Sequence, residues 1–123
     1  MNDRAKELIV REVVEEIYTA FPELWDQHEE SGYEKAIEYN FHHLEHLETT
    51  YEMDDINFFL DYADWLDNVL RRQNVETYVV IDNFERLVRL IPEHVEPEEE
   101  TAYLFYLESA VEILQTRQDG EQI

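Results

Sequence analysis

The residues best suited to chemistry lie in one run, His42-His43-Leu44-Glu45-His46, with Glu38 a helical turn before it. Imidazoles four residues apart share one face of a helix and can share a metal ion. A helical wheel centred on Ile37, Phe41, Leu44 and Leu47 nevertheless turns Glu38, His42 and His46 away from the core. No second stretch supplies the Glu-x-x-His or His-x-x-x-His partner that a di-iron carboxylate or haemerythrin-like centre requires. No cofactor is therefore expected, and a metal at His42 and His46 stands as an alternative. His43 falls at the edge of the apolar stripe beside Tyr39 and Leu47, where hydrogen bonding to a neighbouring helix is the expectation and haem or metal ligation the alternative. Asn40 also falls toward the buried side, where an amide needs partners.

Other catalytic constellations are missing from the chain. Ser31 and Ser109 are the only serines, with no Gly-x-Ser-x-Gly turn, phosphate loop or dinucleotide fingerprint around them. Carboxylates abound, but none sits in an apolar stripe except Glu48 at a margin, and general acid work needs a carboxyl whose pKa burial has raised. No enzymatic activity is expected. Arg71, Arg72, Arg86 and Arg89 form the one basic concentration; Asp82 with Arg86 and Glu85 with Arg89 have the four-residue spacing of helical ion pairs.

Charge narrows the partners. The 123 residues carry 31 acidic and nine basic side chains, a net charge of -22 that repels nucleic-acid backbones and anionic membranes, so direct binding to either is not expected. Residues 36 to 70 hold no Lys or Arg, and a solvated acidic face is expected there. An acidic decoy that occupies the nucleic-acid-binding surface of a basic protein is an alternative. There is no cysteine, no signal-like start and no apolar run of membrane-spanning length, so the cytoplasm is the expected location.

These residues must be positioned by helices, since two Gly and three Pro leave few breakers and the large apolar residues recur at steps of three and four. The first helix is expected over residues 3 to 21, closed by Pro22, with Glu23-Leu24-Trp25 as a short turn or helix. Ser31-Gly32-Tyr33-Glu34 reads as a capping box opening the second, whose core face is Tyr33, Ile37, Phe41, Leu44, Leu47 and Tyr51. Met53-Asp54-Asp55 is the next break. The third helix, from about Asp55 to Gln73, carries two adjoining stripes: Ile56, Phe59, Ala63, Leu66 and Leu70, then Phe58, Tyr62, Trp65 and Val69. A helix so broadly apolar is central or half of an interface. A fourth helix ends at Pro92, and a fifth starts at Pro97 with Tyr103, Leu104, Leu107, Ala110, Val111 and Leu114 on its buried stripe. The expected architecture is a single all-α domain over residues 1–117, a five-helix bundle or globin-like fold, with a polar, frayed tail over 118–123.

Two segments resemble a known family. Gly32, Lys35, Glu38 and His43-Leu44-Glu45-His46-Leu47 are similar to the Gly-x-x-Lys-x-x-Glu-Asp-x-x-x-His-Leu-x-x-Leu pattern of the helical domain that precedes cobalamin-binding domains in bacterial regulators. Phe59-Leu60-Asp61-Tyr62-Ala63-Asp64-Trp65-Leu66, followed by Val69-Leu70 and Val75, resembles that family's Phe-x-Asp-Tyr-x-x-Trp-Leu run. Related globin-like helices occur in non-haem sensors of stress signalling. Tyr39 stands where the family has an acidic residue, and the Asp-x-His-x-x-Gly signature of the cobalamin domain does not occur. The resemblance implies a stand-alone sensory or regulatory helical module, often dimeric, with the Tyr62 and Trp65 helix near a pocket or interface. The leading expectation is a non-enzymatic regulatory, sensory or protein-interaction module, acting through a homodimer or another protein. An apolar small molecule is a further candidate, and Asn40, His43, Phe58, Tyr62 and Trp65 are the candidate contact residues.

Overall fold

The computed structural model describes residues 1–23 and 29–121, leaving aside the side chains of 29–31 and 121. Among the described residues there are five long helices and no strand: α1 (Asp3–Ala20), α2 (Glu29–Met53), α3 (Asn57–Arg72), α4 (Thr77–Leu90) and α5 (Pro97–Glu121). A 3-10 turn over Ile91–Glu93 joins α4 to the α5 segment. The chain is an all-α helical bundle.

Local chemistry sets most of the boundaries. Asn2 caps α1 by accepting from the Ala5 amide at 2.8 Å, and Pro22 follows its end. Pro22 and Glu23 are themselves helical, whereas Leu24 and Trp25 of the expected short turn lie outside the described residues. The expected capping box is not a boundary: α2 begins at Glu29, which puts Ser31 inside the helix. Two asparagine-class residues end helices in the left-handed region, Asp54 (φ 52°) after α2 and Asn74 (φ 68°) after α3. Each permits the backward bonds that satisfy terminal carbonyls, Asp55 N–H to Thr50 at 3.4 Å and Val75 N–H to Leu70 at 2.9 Å. The Asp55 carboxylate in turn accepts from the Asn57 amide at 3.0 Å, which steers the chain into α3. Pro92 converts the end of α4 to the 3-10 turn, Pro97 is the first residue of α5, and α5 stays helical past Gln118 to Glu121.

Helix α1 packs on α2 and α4; α3 packs on α2, α4 and α5; and α5 packs on α2, α3 and α4. One core, built around Ile9, Ile17, Leu44, Leu47, Phe59, Leu66, Phe84, Leu87, Tyr103, Leu107 and Leu114, joins all five helices. The third helix packs its Phe59, Ala63 and Leu66 stripe on three neighbours, whereas Phe58 and Trp65 of its second stripe stay partly or largely exposed.

The register of α2 departs from the apolar wheel. Tyr33 and Tyr51 are exposed, Ile37 and Phe41 half-buried, and the innermost face is Ala36, Asn40, His43, Leu44, Leu47 and Thr50. Three of those six are polar, which is why hydrophobicity alone pointed the helix the wrong way. The acidic stretch is not wholly solvated either: Asp67 is fully buried beside Arg117.

Candidate functional site

Helices α2 and α3 are joined by a short turn and run antiparallel, so residues 35–46 of one face residues 58–73 of the other. Along α2, Lys35, Tyr39, His42 and His46 repeat at steps of four and three on one stripe. Along α3, Phe58, Asp61, Tyr62 and Trp65 do the same. The two stripes diverge over an open groove of about 730 Å³, with Gln73 and Lys35 at one end and His46 and Phe58 at the other.

The groove floor is an aromatic array. The His46 ring stacks on Tyr62 at a 3.7 Å centroid distance and 15° tilt, with Phe58 stacked at 5.6 Å on the same imidazole. Trp65 continues the row 6.2 Å from Tyr62, and 55% of its surface stays exposed. An indole left this open beside a concavity is unusual, since a large aromatic contributes most when its area is removed from water. His46 is thus not on a bare outer face, as the wheel placed it, but on the groove wall, its Nδ1–H donating to the His42 carbonyl at 2.7 Å.

Tyr62 belongs to two environments. Its ring borders the groove while its hydroxyl turns inward and shares a hydrogen bond with His43 Nδ1 at 2.6 Å. Burial holds His43 neutral, driving its pKa down to about 3 with smaller contributions from His46 and His42. Burial likewise pushes the Tyr62 phenol far up, assisted by Tyr39 and Glu45. Both groups are therefore neutral, and one proton is shared between the Tyr62 hydroxyl and His43 Nδ1, the imidazole tautomer deciding which of them donates. The His43 ring also meets Phe84 edge-on at 5.2 Å.

Behind the groove lies a smaller cavity of about 70 Å³, lined by Asn40, His43, Asn83, Leu66, Leu70 and Val79 among others. Lys35, Tyr39 and Gln73 border both spaces. Asn40 of α2 and Asn83 of α4 pair reciprocally, at 3.1 and 2.7 Å, and Asn40 also donates to the Ala36 carbonyl at 2.9 Å. The partners that a buried Asn40 requires are therefore in place.

Of the five candidate residues, Phe58, Tyr62 and Trp65 line the outer groove and Asn40 and His43 the inner cavity, with the His43–Tyr62 bond joining the sets. The inner cavity is far too small for a haem beside His43. His42 lies 3.9 Å from Glu38 and 4.0 Å from Glu45, but among the described residues no group of three or more His, Asp or Glu converges on a metal position. Lys35, Glu38, Tyr39, His42, His46, Asp61 and Gln73 also line the groove and were not expected there; the signal was the Lys35-Tyr39-His42-His46 stripe, which is too mixed in polarity to register as a face.

The arginines act as ties between helices. Arg86 pairs with Asp82 at 2.7 Å as its spacing requires and reaches Glu16 of α1 at 3.1 Å. Arg89 also bridges to Glu16 instead of making the expected pair with Glu85.

The chain matches no protein-family model, no curated protein and no solved structure. Among the described residues, no helix is long and apolar enough to cross a membrane.

Proposed function

We propose that this protein is a non-enzymatic sensory or regulatory module that takes a small ring-bearing molecule into the α2–α3 groove. The observation that carries this reading is the half-exposed Trp65 continuing the Phe58–His46–Tyr62 stack along a concavity of ligand size. Flat aromatic walls favour a flat occupant, because stacking adds to the area removed from water. The resemblance to helical domains of bacterial regulators agrees in placing a pocket or interface beside Tyr62 and Trp65.

A sensing route is also built in. A ligand pressing on the Tyr62 ring bears on the His43–Tyr62 bond, and His43 packs on Phe84 of α4 in the core. Groove occupancy is thereby coupled to how α3 sits on α2 and α4.

Thermal-shift screening of planar aromatic compounds, with native mass spectrometry of the hits, tests the reading. A ligand at about 100 times its Kd stabilises by about 2.7 kcal/mol, which in a domain this size raises Tm by several degrees. Trp65→Ala should keep the fold and lose the shift, because that side chain is exposed. If no planar compound shifts Tm, and light scattering instead shows a dimer that Trp65→Glu dissociates, the groove's occupant is a second copy of the chain and the ligand reading fails.

A further inference from the structure

Resting on that reading of the groove, we propose that its ligand is an organic cation, a planar aromatic ring system bearing a fixed positive charge. Three independent features point this way. Tyr39, Phe58, Tyr62 and Trp65 line one space, with Trp65 the most exposed of them, and aromatic faces attract cations through the ring quadrupole. Two carboxylates, Glu38 and Asp61, border the same space against one ammonium, Lys35. Among the described residues Asp61 makes no ion pair, and Glu38 meets only the His42 ring at 3.9 Å.

Long-range charge acts in the same direction. A net charge of -22 raises the local concentration of cations around the molecule and repels anions, and a concave site with low-dielectric walls focuses that field. A neutral ring would gain the stacking alone. An anionic ring would lose to Glu38 and Asp61 what it gains from the aromatics. Lys35 sits at the Gln73 end, away from the Phe58–His46–Tyr62 stack, whereas Asp61 stands on α3 between Phe58 and Trp65, so one carboxylate lies with the aromatic part of the groove.

Three tricyclic probes of nearly one shape separate stacking from charge: N-methylacridinium, acridine held neutral at about pH 8, and anthracene-9-carboxylate, titrated into the full-length chain by calorimetry or probe fluorescence in about 0.1 M salt. The expected order is cation, neutral, anion, with the cation at least about tenfold tighter than acridine. Asp61→Asn combined with Glu38→Gln should narrow the gap between cation and neutral affinities several-fold while leaving acridine binding unchanged. Glu12→Gln with Glu15→Gln removes the same charge from exposed positions on α1, outside the groove, and should preserve the preference. Acridine binding as tightly as N-methylacridinium, or the α1 variant abolishing the preference as fully as the groove variant, overturns the cation assignment alone. Failure of all three probes to bind, with Trp65→Ala indistinguishable from the parent, overturns the ligand reading beneath it.

Discussion

At the scale of single residues, the His43–Tyr62 pair is where chemistry and stability meet. A histidine whose pKa is about 3 when folded and about 6.5 when unfolded is neutral in the native state, and the unfolded chain is the one that takes up protons. The stability it contributes is complete above pH 6.5 and drains away as pH falls toward 3; between pH 7 and pH 5 the loss amounts to about 2 kcal/mol. Carboxylates titrate over part of that range too, so the decisive comparison is with a His43→Leu/Tyr62→Phe double variant that keeps every carboxylate. Urea unfolding at the two pH values should show the parent losing about 2 kcal/mol more than the double variant. Equal losses would mean that His43 is not held neutral by burial. Tyr62→Phe alone should cost roughly 1–3 kcal/mol at pH 7, because it strands the buried Nδ1 without its hydrogen-bond partner, whereas replacing both partners by apolar groups should recover much of that cost. Recovery absent in the double variant would mean that the phenol matters through packing and not through the hydrogen bond.

At the scale of helices, several ends were legible, but the start of α2, the end of α5 and the register of α2 were not. Asp55, Pro22 and Pro97 act through short-range rules that need no knowledge of the rest of the fold, and they mark boundaries where those rules say. The face of α2 depends on what lies opposite. Asn40 is tolerated inside because Asn83 answers it from α4, and His43 because Tyr62 answers it from α3. A wheel of one helix sees neither partner, so it rotated α2 toward Tyr33 and Tyr51 and turned His46 out of the groove. Asp67 escaped notice for the same reason: its partner Arg117 is 50 residues away on α5 and reads there as part of a polar end. Arg117 joins Asp67 at 2.9 Å and also meets Asp64, fastening the far end of α5 to α3. With Asp67 fully buried, Arg117→Ala should destabilise by roughly 3 kcal/mol, far beyond an ordinary surface substitution, because a carboxylate is left in the interior with Arg71 3.9 Å away as its remaining counter-charge. Asp67→Leu/Arg117→Leu should regain most of it in chemical denaturation. A single-variant loss under about 0.5 kcal/mol would show that the pair is a surface bridge like any other.

At the scale of the whole molecule, attraction at named contacts competes with repulsion among the excess carboxylates. Lys6 with Glu48 at 2.8 Å ties α1 to α2, Arg86 and Arg89 with Glu16 tie α4 to α1, and Arg117 ties α5 to α3, so cations from three helices serve as fasteners between elements. Glu48 holds the Lys6 ammonium above its ordinary pKa, and Asp82 does the same for the Arg86 guanidinium, in each case against a smaller opposing effect of burial, with Glu16 adding a lesser upward push on Arg86. Nine basic side chains cannot neutralise 31 acidic ones, and the remaining 22 negative charges repel one another across a small domain. Added salt weakens both effects, but unequally. The fasteners are close and partly buried, where screening is weak, while the excess carboxylates are exposed and separated by distances comparable with the Debye length of ~10 Å at 0.1 M. Net stability at pH 7 should therefore rise with ionic strength, opposite to a protein held together by surface ion pairs, and the urea midpoint should move upward between about 0.02 and 0.2 M sodium chloride at constant m-value. The Arg117→Ala variant should show a larger salt-induced gain than the parent, since losing that guanidinium leaves Asp64 and Asp67 with less cationic compensation. A midpoint that falls with salt would mean that the interhelical pairs, and not the uncompensated carboxylates, dominate the electrostatics of the fold.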